Sequence, residues 1–279
     1  MYVSDGTSKL RKVLVSRPEF LKPAPINEIA KKWKDTTMDV EVMLKEHEAF
    51  VKAYEENGIE VAYLDADQER PNSVFARDFG GCVKEGYILG NFKLDMRYKE
   101  HVDYKAMMEK LEIPMIGEVK EGIFEGGDFM FMNDHWVALG LCDRTNERGA
   151  EEVEAILEPL GYEVTRVPLD KRYLHLDMCF NLVDEHLAVA YKEGLPESFQ
   201  KLLEERKVKI IEVPEESIFL HGCNLQALGD KKVMSLKQNV AVNEELKKRG
   251  MEVVELDITE ILKAGGGPHC MTFPLKRFS

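Results

Sequence analysis

One kind of phrase returns along this chain at a nearly constant interval. Strand-like segments read 59-IEVAYLD-65, 113-IPMIGEV-119, 162-YEVTRVPLD-170, 208-VKIIEVPEE-216 and 251-MEVVELD-257, and their starts lie 54, 49, 46 and 43 residues apart. β-Branched residues and alternation argue for extended chain in each. Helical stretches fall between them. Residues 38–57 carry Met38, Val42, Met43, Phe50, Val51 and Tyr54 at a spacing of three to four and stop at Gly58. That periodicity predicts an amphipathic helix. Residues 146–160, 196–206 and 239–249 read similarly, the first and last of these ending at Gly161 and Gly250.

After each strand phrase comes a short polar or glycine-bearing turn and then a second apolar strand, such as 136-WVALGL-141 and 187-LAVAY-191. The turns are 75-FARDFGG-81, 124-FEGGDF-129, 174-LHLDMCF-180, 219-FLHGCNL-225 and 264-AGGGPHC-270. Their most reactive residues are Asp78, Glu125, His175, His221 or Asn224, and Cys270, again 46 to 50 residues apart. A fixed period near fifty predicts a repeat architecture. If every unit offers its polar turn on the same side, five units close into a ring and the turns converge near its axis. The glycines 265-GGG-267 would then deliver Cys270 to a centre that four earlier turns also reach.

Composition sets the limits. The 279 residues suffice for a sizeable core and are read as a single catalytic domain, 1–279. Acids exceed bases by 51 to 38, for a net charge of −13, which argues against a nucleic-acid partner and suits a cationic small molecule. No apolar run approaches the ~18 residues of a membrane span, so no membrane partner is expected. The N-terminal segment lacks the apolar region of a signal peptide. The five cysteines are odd in number, scattered and without CxxC, which points away from a disulfide framework and toward a reducing, cytoplasmic location.

Cysteine attacks as its thiolate, and a nearby histidine can move protons. That pair alone suggests a thiol hydrolase of acyl groups. The ring of carboxylates, Asp78, Glu125, Asp128 and Asp177, argues otherwise, because an acyl-transfer site needs donors for an oxyanion. Anions suit a cationic substrate, and a guanidinium presents planar, forked N–H donors that two carboxylates can grip. The same carboxylates raise the Cys270 pKa, so a bound guanidinium is expected to neutralise them and promote the thiolate. His175, Asp177 and Cys179 together could suggest a metal set. The turn HLDMCF reads as strand-like, which separates residues four apart, so neither metal nor cofactor is expected.

The turns FARD, EGGD, HLD and GGGPHCM match, in order, those of the guanidino-group-modifying enzymes, the pentein superfamily. The chain resembles arginine deiminases, dimethylarginine dimethylaminohydrolases, arginine dihydrolases and amidinotransferases from about Leu10 to Leu275. The resemblance implies an α/β fold, a five-bladed α/β propeller with pseudo-fivefold ββαβ repeats. It implies that Cys270 attacks the guanidinium carbon, expels ammonia or an alkylamine and leaves a thiouronium that water hydrolyses to a ureido product. It makes His175 the general acid and base and Glu125 a second acid, with Asp78 and Asp177 clamping the guanidinium. Asp128, His269 and Phe75 join the substrate-binding set. Arg97 and Arg144 lie 19 residues after Asp78 and Glu125, where relatives hold arginines for the substrate's α-carboxylate. A homodimer is the usual state in that family.

The departures narrow the choice. The chain has no room for the inserted helical domain of bacterial deiminases, whereas His269 before the cysteine is more like deiminases, dihydrolases and transferases. Lys263 and Ala264 stand where deiminases often carry an arginine. Dihydrolases carry asparagine where Asp78 stands, and amidinotransferases usually depart from EGGD. The expected activity is hydrolysis of arginine or an Nω-substituted arginine to citrulline. Alternatives are a dihydrolase or citrulline hydrolase giving ornithine, an amidinotransferase, and a non-catalytic ligand-binding propeller.

Overall fold

The computed structural model describes residues 2–279. Fifteen strands form five three-stranded sheets. The first holds β1 (Leu10–Ser16) and β2 (Glu60–Leu64), the second β3 (Gly80–Val83), β4 (Gly86–Leu89) and β5 (Met115–Glu118). The third holds β6 (Phe129–Phe131), β7 (Trp136–Leu141) and β8 (Glu163–Pro168), the fourth β9 (Phe180–Asp184), β10 (Leu187–Ala190) and β11 (Lys209–Glu212). The fifth holds β12 (Gln226–Gly229), β13 (Lys232–Leu236) and β14 (Glu252–Leu256). The last strand, β15 (Phe273–Arg277), returns to the first sheet and pairs antiparallel with β1, so both ends of the chain share one sheet.

Every sheet has the same pattern. Its middle strand pairs antiparallel on one side and parallel on the other. A parallel pair needs a long crossover, and each is carried by a helix: Val40–Glu56, Glu100–Lys110, Glu147–Leu157, Glu197–Glu205 and Val240–Lys248. All five strand phrases of the sequence become the parallel third strands. The predicted helix 38–57 runs Val40–Glu56, capped by the Asp39 carboxylate on the Val42 amide. Val42, counted in its apolar stripe, faces solvent, and His47 is buried in its place. Helix Glu100–Lys110 was not among the stretches legible as helical, because its buried face is only Glu100, Tyr104 and Met108. Gly161 (φ 89°) and Gly250 (φ 82°) stop two crossover chains in the left-handed region that glycine enters freely.

Apolar packing between sheets fixes where the turns point. Phe79, directly after Asp78, stacks on Tyr104 with centroids 4.4 Å apart and packs on Phe273 at 4.3 Å. Burying one such ring contributes about 1.5–3 kcal/mol. Each of the five turns leads into the strand antiparallel to its sheet's middle strand, and consecutive turns touch. A Cβ on Gly126 would strike the backbone of Gly80 and Arg77. Asp128 Oδ1 accepts from the Leu176 amide at 2.8 Å, and Cys223 Sγ approaches Cys179 O at 3.6 Å. Asn224 Nδ2 donates to Cys270 Sγ at 3.0 Å, and the Arg77 amide donates to Cys270 O at 3.0 Å. The cycle of contacts ends on the turn where it began.

The turn around His175 corrects one expectation. Leu176–Cys179 is a single helical turn and not a strand-like segment, with His175 extended at its N-cap position (φ −133°, ψ 163°). Asp128 supplies the acceptor for its first amide, which an isolated four-residue reading could not reveal. Among the described residues no helix is long and apolar enough to cross a membrane, and all five cysteines are buried and unpaired.

Candidate active site

Cys270 lies at the junction of the turns, 6% exposed. The glycines before it are there for close approach. A Cβ on Gly266 would enter the Phe75 ring at 2.3 Å, and one on Gly267 would strike the Asn224 side chain at 2.7 Å. Asn224 grips the nucleophile's turn from both ends of its amide. Its Oδ1 accepts from the His269 and Cys270 amides at 3.0 and 3.3 Å while its Nδ2 points at Sγ. Sequence reasoning offered Asn224 only as an alternative to His221. The in-phase spacing was the signal, and the amide's two-sided bonding decides between them. His221 instead adopts φ +60° and accepts from Asn239 Nδ2 through its carbonyl.

His175 sits over Gly127, whose missing Cβ would fall 2.6 Å from the imidazole. Its Nε2 bonds Glu125 Oε2 at 3.0 Å, and its Nδ1 lies 3.8 Å from Asp78 Oδ1. Burial disfavours the imidazolium, but the Asp78 charge and the Glu125 hydrogen bond outweigh it and raise the His175 pKa to about 9. Burial likewise opposes ionisation of Glu125, but the His175 bond and the Arg144 charge bring it down to about 2. At neutral pH the two form an ion pair. Asp78, Glu125 and His175 also place possible metal-ligand atoms within 4.8 Å of one another, a set different from the one weighed in the sequence. An imidazolium has no lone pair for a metal, so an ion here would have to displace the His175 proton.

On the other side of Sγ lies Asp177, whose Oδ2 is 3.6 Å from the sulfur and accepts from His269 Nδ1 at 2.8 Å. Burial works against the Asp177 carboxylate, but the His269 bond lowers its pKa overall. Cys270 is pushed well above the ordinary thiol value by burial first and then by the Asp177 and Asp78 charges. Three carboxylate oxygens in this centre have no hydrogen-bond partner among the described residues, Asp78 Oδ1, Asp128 Oδ2 and Asp177 Oδ1. A buried, unpartnered carboxylate oxygen is costly.

Four residues expected at the substrate make contacts within the protein. Arg97 is fully buried, with Nη1 on Asp78 Oδ2 at 2.6 Å, Nε and Nη2 on Glu100, and Nη2 also on the Asn72 and Phe75 carbonyls. All three nitrogens serve the protein, so Arg97 holds Asp78 and does not face a substrate carboxylate. Asp128 gives Oδ1 to the Leu176 amide and leaves Oδ2 without a partner. His269 turns its ring onto Asp177 and lines a cavity behind the catalytic turn. Phe75 packs its ring under Gly266. Arg144 repeats the Arg97 arrangement, with Nη1 3.3 Å from Glu125 and Nε 2.9 Å from Asp143. The shared interval of 19 residues is thus an ion-pair spacing, used once in each of two consecutive units.

Arg144 Nη2 also donates to Ile26 O. Ile26 belongs to the segment between β1 and the first crossover helix, and its neighbour Asn27 donates to Gly265 O at 2.8 Å. These bonds tie the segment to both the Glu125 and the Cys270 sides and leave Cys270, His175, Asp177 and Glu125 almost wholly enclosed.

A five-sheet α/β fold with a cysteine, a charged histidine and flanking carboxylates at its junction defines a hydrolase of guanidino and amidine groups. The family of N,N dimethylarginine dimethylhydrolases, in its eukaryotic form, matches residues 18–277. The uncharacterized protein YkgA of Bacillus subtilis is 32% identical over 269 residues, 96% of this chain and 92% of its own. The N(G),N(G)-dimethylarginine dimethylaminohydrolase of Pseudomonas aeruginosa is 28% identical over 237 residues, 82% of this chain and 87% of its own. The N-terminal domain of ArgZ, a cyanobacterial arginine dihydrolase, superposes with a TM-score of 0.85 at 23% identity, covering 96% of this chain and 98% of that one. At that identity the likeness speaks for the fold alone. The chain belongs to the dimethylarginine dimethylhydrolase family.

Proposed function

We propose that the protein hydrolyses the guanidino group of arginine or an Nω-substituted arginine to citrulline, releasing ammonia or an alkylamine. The observation that carries this is the pair of unpartnered oxygens, Asp78 Oδ1 and Asp177 Oδ1, on the two carboxylates whose charges act on Cys270, with Asp177 Oδ2 3.6 Å from its sulfur. The bound cation satisfies both and reverses the electrostatics that keep Cys270 as a thiol. The thiol proton is released to solvent, and Sγ adds to the guanidinium carbon, opening its C=N bond to a neutral tetrahedral adduct. His175, charged while paired with Glu125, gives its proton to the departing nitrogen, which leaves a cationic thiouronium. Neutral His175 then takes a proton from water as the oxygen adds to the same carbon. Collapse of that adduct breaks the C–S bond, and the hydroxyl proton returns to sulfur with release of the ureido product.

Arg97 and Arg144 keep Asp78 and Glu125 ionised and oriented. A substrate carboxylate would take the Arg144 Nη2 donor now given to Ile26 O, so entry requires the segment around Ile26 to move. The closed cycle of turn contacts supports a five-bladed propeller, and we read residues 1–279 as one catalytic domain acting in the cytoplasm as a homodimer. Asp78 favours a single hydrolysis step over the dihydrolase alternative.

The test is a product assay with L-arginine, Nω-methylated arginines, agmatine and citrulline, each alone. Citrulline with the matching amine, absent with Cys270→Ala, supports the reading. Ornithine would transfer it to the dihydrolase or citrulline hydrolase class, and silence on all four would overturn it. Asn224→Ala removes the donor to Sγ and the acceptor of two turn amides. Hydrogen bonds to charged groups contribute about 1.5–3 kcal/mol, so kcat is expected to fall roughly tenfold to 150-fold. The pH at which Cys270 becomes alkylated should rise in the same variant, which loss of packing alone would not produce.

A further inference from the structure

Behind the Cys270 turn lies a cavity of about 40 Å³, lined in part by Asp5, Arg77, Asn181, Gln226, His269 and Arg277. Two of these residues are buried cations. Arg77 donates from Nε to His269 O at 3.4 Å and from Nη2 to Gln226 Oε1 at 3.1 Å. Arg277 donates from Nη1 to Ser8 O at 2.7 Å and from Nη2 to Ala227 O at 2.6 Å. Every acceptor is a neutral oxygen. Among the described residues neither guanidinium has a carboxylate within ion-pair distance, and Arg77 Nη1 and Arg277 Nε have no acceptor at all. Buried charges are normally paired. These are not, although the chain as a whole is rich in acids.

One acid lines the cavity, Asp5, and its oxygens are already committed. They accept from the Thr7 amide at 2.8 Å, the Ser8 amide at 2.5 Å, and the hydroxyls of Ser4 and Ser8 at 2.8 and 2.5 Å. His269 adds no charge, since burial and then Arg77 hold its pKa near 4. Asp177 and Asp78 act on Arg77 from the catalytic side, where one accepts from His269 and the other from Arg97. The lining therefore carries two cations against one acid, an excess of a single positive charge. Burial brings the Arg277 pKa down to about 10, with the pull of Asp5 opposing it and a smaller repulsion from Arg77 adding to it.

We propose that this cavity is a binding site for one small monovalent inorganic anion, chloride in the first instance, held between Arg77 and Arg277. Its volume fits about three waters, and hence one halide with water beside it. The open donors, Arg77 Nη1 and Arg277 Nε, supply its hydrogen bonds. Because the Arg77 amide and Nε hold the Cys270 and His269 carbonyls, the anion also fixes the floor of the catalytic turn.

Bromide is the probe for position and chloride the probe for effect. In crystals grown in sodium bromide, an anomalous peak between the two guanidinium groups is the expected result. Ordered solvent there without anomalous signal would overturn the proposal. In thermal unfolding at constant ionic strength, chloride should raise Tm over gluconate, which is too large to enter, by about 3 °C. Arg277→Gln should abolish that difference. An equal rise in the variant would sink the assignment, and if the variant does not fold, the bromide experiment on the natural chain decides alone.

Discussion

Cys270→Ala is expected to lower turnover of the guanidino substrate by about a million-fold, the scale seen when a covalent nucleophile is removed. Substrate should still bind, because Asp78 and Asp177 remain. The natural enzyme should show a paired signature before any turnover. Burial and the two carboxylates hold the thiol protonated at pH 7, so neutral iodoacetamide should alkylate Cys270 slowly and accelerate only above about pH 9. A cationic haloacetamidine should label it irreversibly at pH 7, since its charge occupies the guanidinium site. Asp177→Asn should erase most of that preference. Equal rates for the two reagents at pH 7, or a thiol fully ionised at pH 6, would defeat the account of substrate-promoted ionisation.

Glu125→Gln is the second large effect. The Glu125 bond is among the interactions that raise His175 to about 9, and the variant should bring that value down toward the ordinary ~6.5. Activity requires the protonated imidazole in the first half-reaction. It is therefore lost as pH rises through the His175 pKa, and the falling limb of kcat should move from about 9 to lower pH. At pH 8 the expected loss is about thirtyfold, the fall in the protonated fraction of the imidazole, within the usual reach of general acid catalysis. The stability sign follows from the same pair. His175, raised in the folded state, stabilises below about 6.5 and loses this as pH passes 9. Glu125, depressed, stabilises above about 4.5 and loses this as pH falls through 2. Proton NMR of His175 and a kcat–pH profile check both, and an unmoved limb would remove Glu125 from the proton-transfer role.

The repeat could be read in the sequence because it is written in local periodicities. A phrase such as 251-MEVVELD-257 alternates whatever lies beside it, and it became β14. The same holds for WVALGL, which is β7 residue for residue. Helix Glu100–Lys110 was illegible because its thin apolar face packs on Phe79, a residue outside the helix's own periodicity. Likewise, the interval of 19 residues was visible, but its meaning as an Arg97–Asp78 and Arg144–Glu125 pairing was not.

By itself, then, the sequence determined five similar units, each ending in a polar turn, and which residues those turns carry, Asp78, Glu125, His175, Asn224 and Cys270 among them. Tertiary structure alone decided what each polar group faces. Arg97, Asp128 and His269 were turned inward to hold the acids and the His175 turn, Asn224 was brought onto Cys270, and Arg77 was set beside Arg277 with no acid between them. The reason is physical. Periodicity is a property of neighbours along the chain, whereas a side chain's hydrogen-bond partner is settled by which units close against each other and by burial, which lets few donors go unpaired.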